Sequence, residues 1–147
     1  MSYGIKNIKS GLRLVKLILV LDSNEYIVFL NKESHLLEKI LYAERIIIFM
    51  NELIVREVLR NINEEVKKEF YAFIFKHNIQ MSHEQLPLSL LQKYQKLGLK
   101  KGDIAIAAFC EHVKADYLVT ENRHFLNGKK LKEFKVVNLK EFIDALD

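Results

Sequence analysis

Apolar residues along this chain come in two rhythms. Continuous runs, Val15 to Leu21 broken only by Lys16, Ile46 to Phe49, and Tyr117 to Val119 with Thr120, read as strands buried on both faces of a parallel sheet. Ile79 to Met81 and Val136-Val137 predict two shorter strands. Between these runs apolar residues recur every three or four positions, the spacing of a helix with one buried stripe. Ser23 or Asn24 is expected to cap the first helix, with Tyr26, Ile27, Phe29 and Leu30 inward. A second is expected from Ser34 through Leu36, Leu37, Ile40 and Leu41. Asn51 caps a third carrying Ile54, Val55, Val58, Leu59 and Ile62, and Asn63 or Glu64 opens a fourth with Val66, Phe70, Phe73 and Ile74.

Pro87 suits the start of a helix over Leu88 to Leu97, with Gly98 as its C-cap. Asp103 to Val113 is apolar almost all round, the pattern of a helix covered on more than one side. Lys140 to Ala145 forms the last helix. Strands alternating with helices predict an α/β fold with a mainly parallel sheet. In such sheets ligands gather beyond the carboxyl ends of the strands.

The 147 residues suit one domain, with residues 1–13 as a short basic extension. Half of the residues are hydrophobic, enough for a core without disulfide or metal staples. A net charge of +4 is compatible with a polyanionic partner without requiring one. Cys110 is the lone cysteine, which excludes an internal disulfide and suits a reducing compartment. Its neighbours Ala107, Ala108 and Phe109 mark it as a buried small hydrophobe. Lys6, Lys9 and Arg13 before an apolar run imitate a signal peptide, but Lys16 interrupts it, Asp22 closes it and no small-residue cleavage site follows. No apolar stretch is long enough to span a membrane, so a cytoplasmic protein is expected.

The chemistry lies in acids at the mouths of apolar segments. Asp22 ends the first run, Glu57 lies in Leu53-Ile54-Val55-Arg56-Glu57-Val58-Leu59, and Asp103 opens the all-apolar helix. Thr120-Glu121-Asn122 follows the last long strand. Carboxylates there are costly unless compensated, and a hard divalent cation compensates them well. The pattern points to a metal-dependent phosphodiesterase. Plainer roles compete: Asp22 and Asp103 could be helix caps, and Thr120 and Asn122 an ordinary polar turn. On a helical wheel Glu57 and Glu52 flank opposite edges of one apolar stripe, and periodicity does not choose between them. The five histidines lack metal-ligand spacing, and Phe70, Tyr71, Phe73 and Phe75 read as core with a possible dimer surface rather than a base-stacking platform.

Four pieces in this order resemble the PIN-domain ribonucleases, the family of the VapC-type toxins. They are Asp22-Ser23-Asn24 after the first strand, Glu57 in the helix after the second, Gly102-Asp103-Ile104-Ala105-Ile106-Ala107-Ala108, and Ala115 to Phe125. The resemblance runs from about Leu17 to Val137 and implies a three-layer α/β/α sandwich that cuts RNA with Mg²⁺ or Mn²⁺. It places the metal ligands on Asp22, Glu57 and Asp103, choosing Glu57 over Glu52, and the family's Ser/Thr-x-Asp/Asn position on Thr120 and Asn122. Asn122 stands where the family often has Asp, one negative charge fewer, with Glu121 beside it. Asp116 precedes its strand and belongs at the opposite end from the metal.

Lys100, Lys101 and Arg123 neighbour these positions and are candidates for holding backbone phosphates, against a bland reading as solvated charges. A toxin implies an antitoxin protein covering the site, and the family suggests a homodimer. The competing reading is a binding module of the same fold with weakened catalysis. A haloacid-dehalogenase-type phosphotransferase would need Asp where Asn24 stands, and no Gly-x-Gly-x-x-Gly follows the first strand to bind a dinucleotide.

Overall fold

Leu19, Val20 and Leu21 have no exposed surface, which is why strand β1 (Leu17–Leu21) is apolar without alternation. The computed structural model describes residues 15–126 and 131–146, so the basic extension expected over residues 1–13 lies outside the described residues. After β1 come α1 (Ser23–Leu30), α2 (Glu38–Leu41), β2 (Ile46–Asn51), α3 (Glu52–Arg60), α4 (Glu64–Lys76) and β3 (Gln80–Ser82). Then follow α5 (Leu88–Lys96), α6 (Lys101–His112), β4 (Tyr117–Val119), α7 (Arg123–Leu126), β5 (Lys135–Val137) and α8 (Leu139–Leu146).

The five strands form one all-parallel sheet in the order β3-β2-β1-β4-β5, flanked by helices in a three-layer α/β/α arrangement. Leu17 is paired with Ile46 of β2, and Leu21 with Val119 of β4. The two edge strands are three residues each, short enough to offer little to edge-to-edge pairing. The chain steps outward from β1 to β3, then returns across the sheet to β4 and β5. Right-handed crossovers therefore put α1 to α4 on one face and α5 to α7 on the other. Consistent with this, α1 packs on α3 and α4, and α5 packs on α6.

Tyr26 of α1 meets Phe70 and Phe73 of α4 edge-on, with ring centroids 6.1 and 6.0 Å apart, so those two phenylalanines are core as expected. Tyr71 and Phe75 point outward. Cys110 is fully buried. Asn51 caps α3 by accepting from the Ile54 N–H at 3.0 Å, and Gly98 takes φ 91° just after α5. Among the described residues no helix is long and apolar enough to cross a membrane.

The fold departs from expectation in four places. The cap of α1 is Asp22, not Ser23 or Asn24; Ser23 is buried within the first turn. The helix expected from Ser34 is only α2, because the Ser34 hydroxyl accepts from the Leu36 N–H at 3.2 Å and holds a turn instead. Asp103 is not the cap of α6 but sits in its first turn, two residues inside Lys101. The short helix α7 has no counterpart in the apolar pattern, since four residues are too few to show a period.

Candidate functional site

At the carboxyl end of β1 the chain turns directly into α1, leaving Asp22 extended at φ −61° and ψ 150°. Its N–H donates to the Val119 carbonyl of β4 at 2.9 Å, which ties it to the neighbouring strand. One carboxylate oxygen, Oδ1, accepts from the Ser23 N–H at 2.8 Å. The other, Oδ2, accepts from the Thr120 hydroxyl at 2.7 Å. Thr120 is fully buried just past β4, and its own N–H donates to Val137 of β5 at 2.9 Å.

The Thr120 hydroxyl oxygen also accepts from the Asn122 N–H at 3.0 Å. Asn122 Oδ1 accepts from the His124 N–H at 2.9 Å, the first turn of α7. That bond fixes the amide's orientation and turns Nδ2 toward Asp103 Oδ1, a longer contact of 3.4 Å. Asp22, Thr120, Asn122 and Asp103 thus form one hydrogen-bonded chain spanning β1, β4 and α6. The dipole at the start of α6 favours the Asp103 carboxylate.

Asp22, Asp103 and Asn122 open onto a cleft of about 590 Å³. Glu57, exposed on α3, lines its opposite wall, whereas Glu52 is turned away toward Arg56 at 3.8 Å and His83 at 3.7 Å. Of the three basic candidates, Lys101 lines the cleft; Lys100 and Arg123 are exposed and do not. Lys100 is the N-cap residue, about 100° round the helix axis from Lys101. Arg123 follows the inward-held Asn122 and is the first residue of α7.

The sequence reading missed Arg60 and Asn61, which also line this cleft. Arg60 lies one turn beyond Glu57 on α3, the spacing that places side chains on one helix face. Asn61 ends α3 and donates from Nδ2 to the Glu57 carbonyl at 2.7 Å. Thr120 lies behind the cleft wall and acts on it through Asp22 and Asn122. Glu121 is turned elsewhere, accepting from the Leu139 N–H at 3.4 Å. Asp116 is at the far end of the sheet, where its Oδ2 accepts from the Ile18 N–H at 2.8 Å.

Burial pushes the Asp22 carboxyl above its ordinary value, and the hydrogen bonds from Thr120 and Ser23 partly counter it. The negative charges of Glu57 and Asp103 raise it further. Among the described residues no three His, Cys, Asp or Glu side chains converge tightly enough to cage a metal ion. The donor set nevertheless fits a hard cation of the Mg²⁺ type, which takes one or two carboxylates directly and keeps several of its waters. Asp22 and Asp103 are the residues that would hold it, with Glu57 reaching it directly or through water.

No family model, curated protein or solved structure matches this chain.

Proposed function

We propose that this protein is a metal-dependent endoribonuclease of the PIN-domain kind, hydrolysing RNA phosphodiester bonds with Mg²⁺ or Mn²⁺. The observation that carries the proposal is a convergence: carboxylates from three separate elements share one cleft with Arg60 and Lys101 at the carboxyl end of a parallel sheet. Acids alone would repel RNA, and basic groups alone would only bind it. The combination suits a polyanion held by its backbone while one phosphate is attacked.

When bound, the cation would neutralise charge on the phosphate and make water more nucleophilic. Everything else falls to the chain's own groups. Thr120 holds Asp22 in one orientation through the 2.7 Å bond to Oδ2, and Asn122 does the same for Asp103. Glu57 makes no ion pair among the described residues and lines the cleft, which supports its role as the third ligand, in direct or water-bridged contact. Arg60 and Lys101 hold flanking phosphates, contacts that position RNA without reading its bases. The proposal extends to a toxin acting as a homodimer in the cytoplasm, with an antitoxin protein covering the cleft.

The test is cleavage of a mixed RNA pool with Mg²⁺, Mn²⁺ or EDTA, by the wild type and by Asp22→Asn and Asp103→Asn. Metal-dependent cutting abolished by both substitutions is the expected result. Intact RNA with folded wild-type protein, or mutants that cut like wild type, would overturn it and favour a PIN-fold binding module with weakened catalysis.

A further inference from the structure

A second pocket, of about 330 Å³, shares only Asn24 with the cleft. One of its lining residues is Glu25, an acid just 7% exposed on α1. Glu25 Oε2 is buried and has no hydrogen-bond partner. A buried carboxylate oxygen left unpaired is costly, and its neighbours normally supply a donor. Here the neighbouring charge is a second acid, Glu121, on the same pocket wall. Among the described residues neither carboxylate is in an ion pair; Lys140 lines the pocket but closes on neither.

The rest of the wall narrows the choice of occupant. Val28, Phe29, Leu36 and Leu37 line it with hydrocarbon. Asn24, Ser34 and Asn138 add polar groups to the wall, but its hydrocarbon part gives a hydrated Mg²⁺ or Ca²⁺ ion nothing to bind. It does suit a methylene stem, as long basic side chains lie along apolar surface with the charged head elsewhere. Burial and Glu121 raise the Glu25 carboxyl to about 8, so a cation binds there by taking the place of its proton, which leaves to solvent. The head must then supply N–H groups to Oε2, which a quaternary ammonium lacks. A planar guanidinium can serve two carboxylates at once.

We propose that this pocket binds the charged end of an alkylammonium or alkylguanidinium ligand, with its N–H groups on Glu25 and Glu121 and its stem along the apolar wall. The site is independent of the nuclease proposal and stands whether or not the neighbouring cleft cuts RNA. The same head group can be carried by a free amine or by a lysine or arginine side chain.

The test follows backbone amide NMR signals of the full chain during titration with butylguanidinium, putrescine, acetyl-arginine methylamide and, separately, Mg²⁺. At least one organic cation is expected to give saturable shifts in α1, residues 34–37 and residues 138–140. Preference for the free amines or for the arginine derivative identifies the source of the head group. Binding should weaken about tenfold or more in Glu121→Gln, the loss expected for one charge-assisted hydrogen bond. It should vanish in Glu25→Gln and persist in Asp103→Asn. Glu121 is exposed, so its variant tests the site without risk to folding. The proposal is overturned by no saturable shift with any organic cation, by equal binding to Glu121→Gln, by shifts centred on Asp22 and Asp103, or by the same shifts with Mg²⁺ alone.

Discussion

Thr120 donates its hydroxyl proton to Asp22 Oδ2 at 2.7 Å across 98 positions of sequence. The bond joins the ends of two adjacent strands, β4 and β1, and is one of two that counter the burial of that carboxylate. Thr120→Val keeps the shape and removes the donor. The variant is expected to lose about 1–3 kcal/mol of stability in urea melts at pH 7. The Asp22 carboxyl should rise further, moving the acidic limb of any pH–rate profile to higher pH. Unchanged melts and an unmoved limb would mean that the bond is absent in solution.

Glu25 gives the pH dependence a definite sign. Its carboxyl is raised from 4.5 to about 8, first by burial and then by Glu121 and Asp22. The folded protein holds this proton more tightly than the unfolded chain. The resulting cost is absent below pH 4.5, grows as pH rises, and is complete above pH 8. Its full size is on the order of 4 kcal/mol. Glu25→Gln should therefore raise the melting temperature clearly at pH 9 and hardly at pH 4. Equal shifts at both pH values would contradict the buried protonated acid.

The basic side chains separate in a salt titration. Binding of single-stranded RNA is measured with Asp103→Asn, which removes cutting under the nuclease proposal. Adding Arg60→Ala or Lys101→Ala should weaken binding and lower the slope of log affinity against log salt by about 0.7 to 1 each. Lys100→Ala and Arg123→Ala should leave the slope nearly unchanged. A larger loss with Arg123→Ala than with Arg60→Ala would move the RNA path off the cleft.

Asp116 is the acid whose role is purely architectural. Asp116→Ala strands the Ile18 N–H that its carboxylate accepts at 2.8 Å, at the end of the sheet away from the cleft. A loss of about 0.5–1.5 kcal/mol in stability is expected. Cleavage per folded molecule should be unchanged, and a selective loss of activity would place Asp116 in the machinery instead.

The central strands were legible because a parallel sheet covers both faces, so Leu19, Val20 and Leu21 needed no polar partner. Asn51 and Gly98 announced helix ends through local chemistry that needs no tertiary context. The turn at Ser34 was hidden because its side chain competes with a helix the apolar spacing allows. Lys100 and Lys101 are adjacent, and only the rotation of α6 decides which meets the cleft. Arg60 carries no sequence signal of its own; only the placement of α3 beside α1 brings it to the cleft. Glu25 was invisible because the pocket it lines is built with Glu121 and α8 residues more than ninety positions away.

The central position of β1 has a consequence for synthesis. This strand is among the first parts made, yet one of its two neighbours, β4, begins only at Tyr117. With about a hundred residues outside the ribosome, a growing chain carries Asp22 and Glu57 but neither Thr120 nor the strand that seats it. Asp22 then lacks the hydroxyl that orients it, and two of the five strands are missing. Under the nuclease proposal a translating ribosome thus carries an inert precursor, whose cleft is finished only once the chain has passed β4.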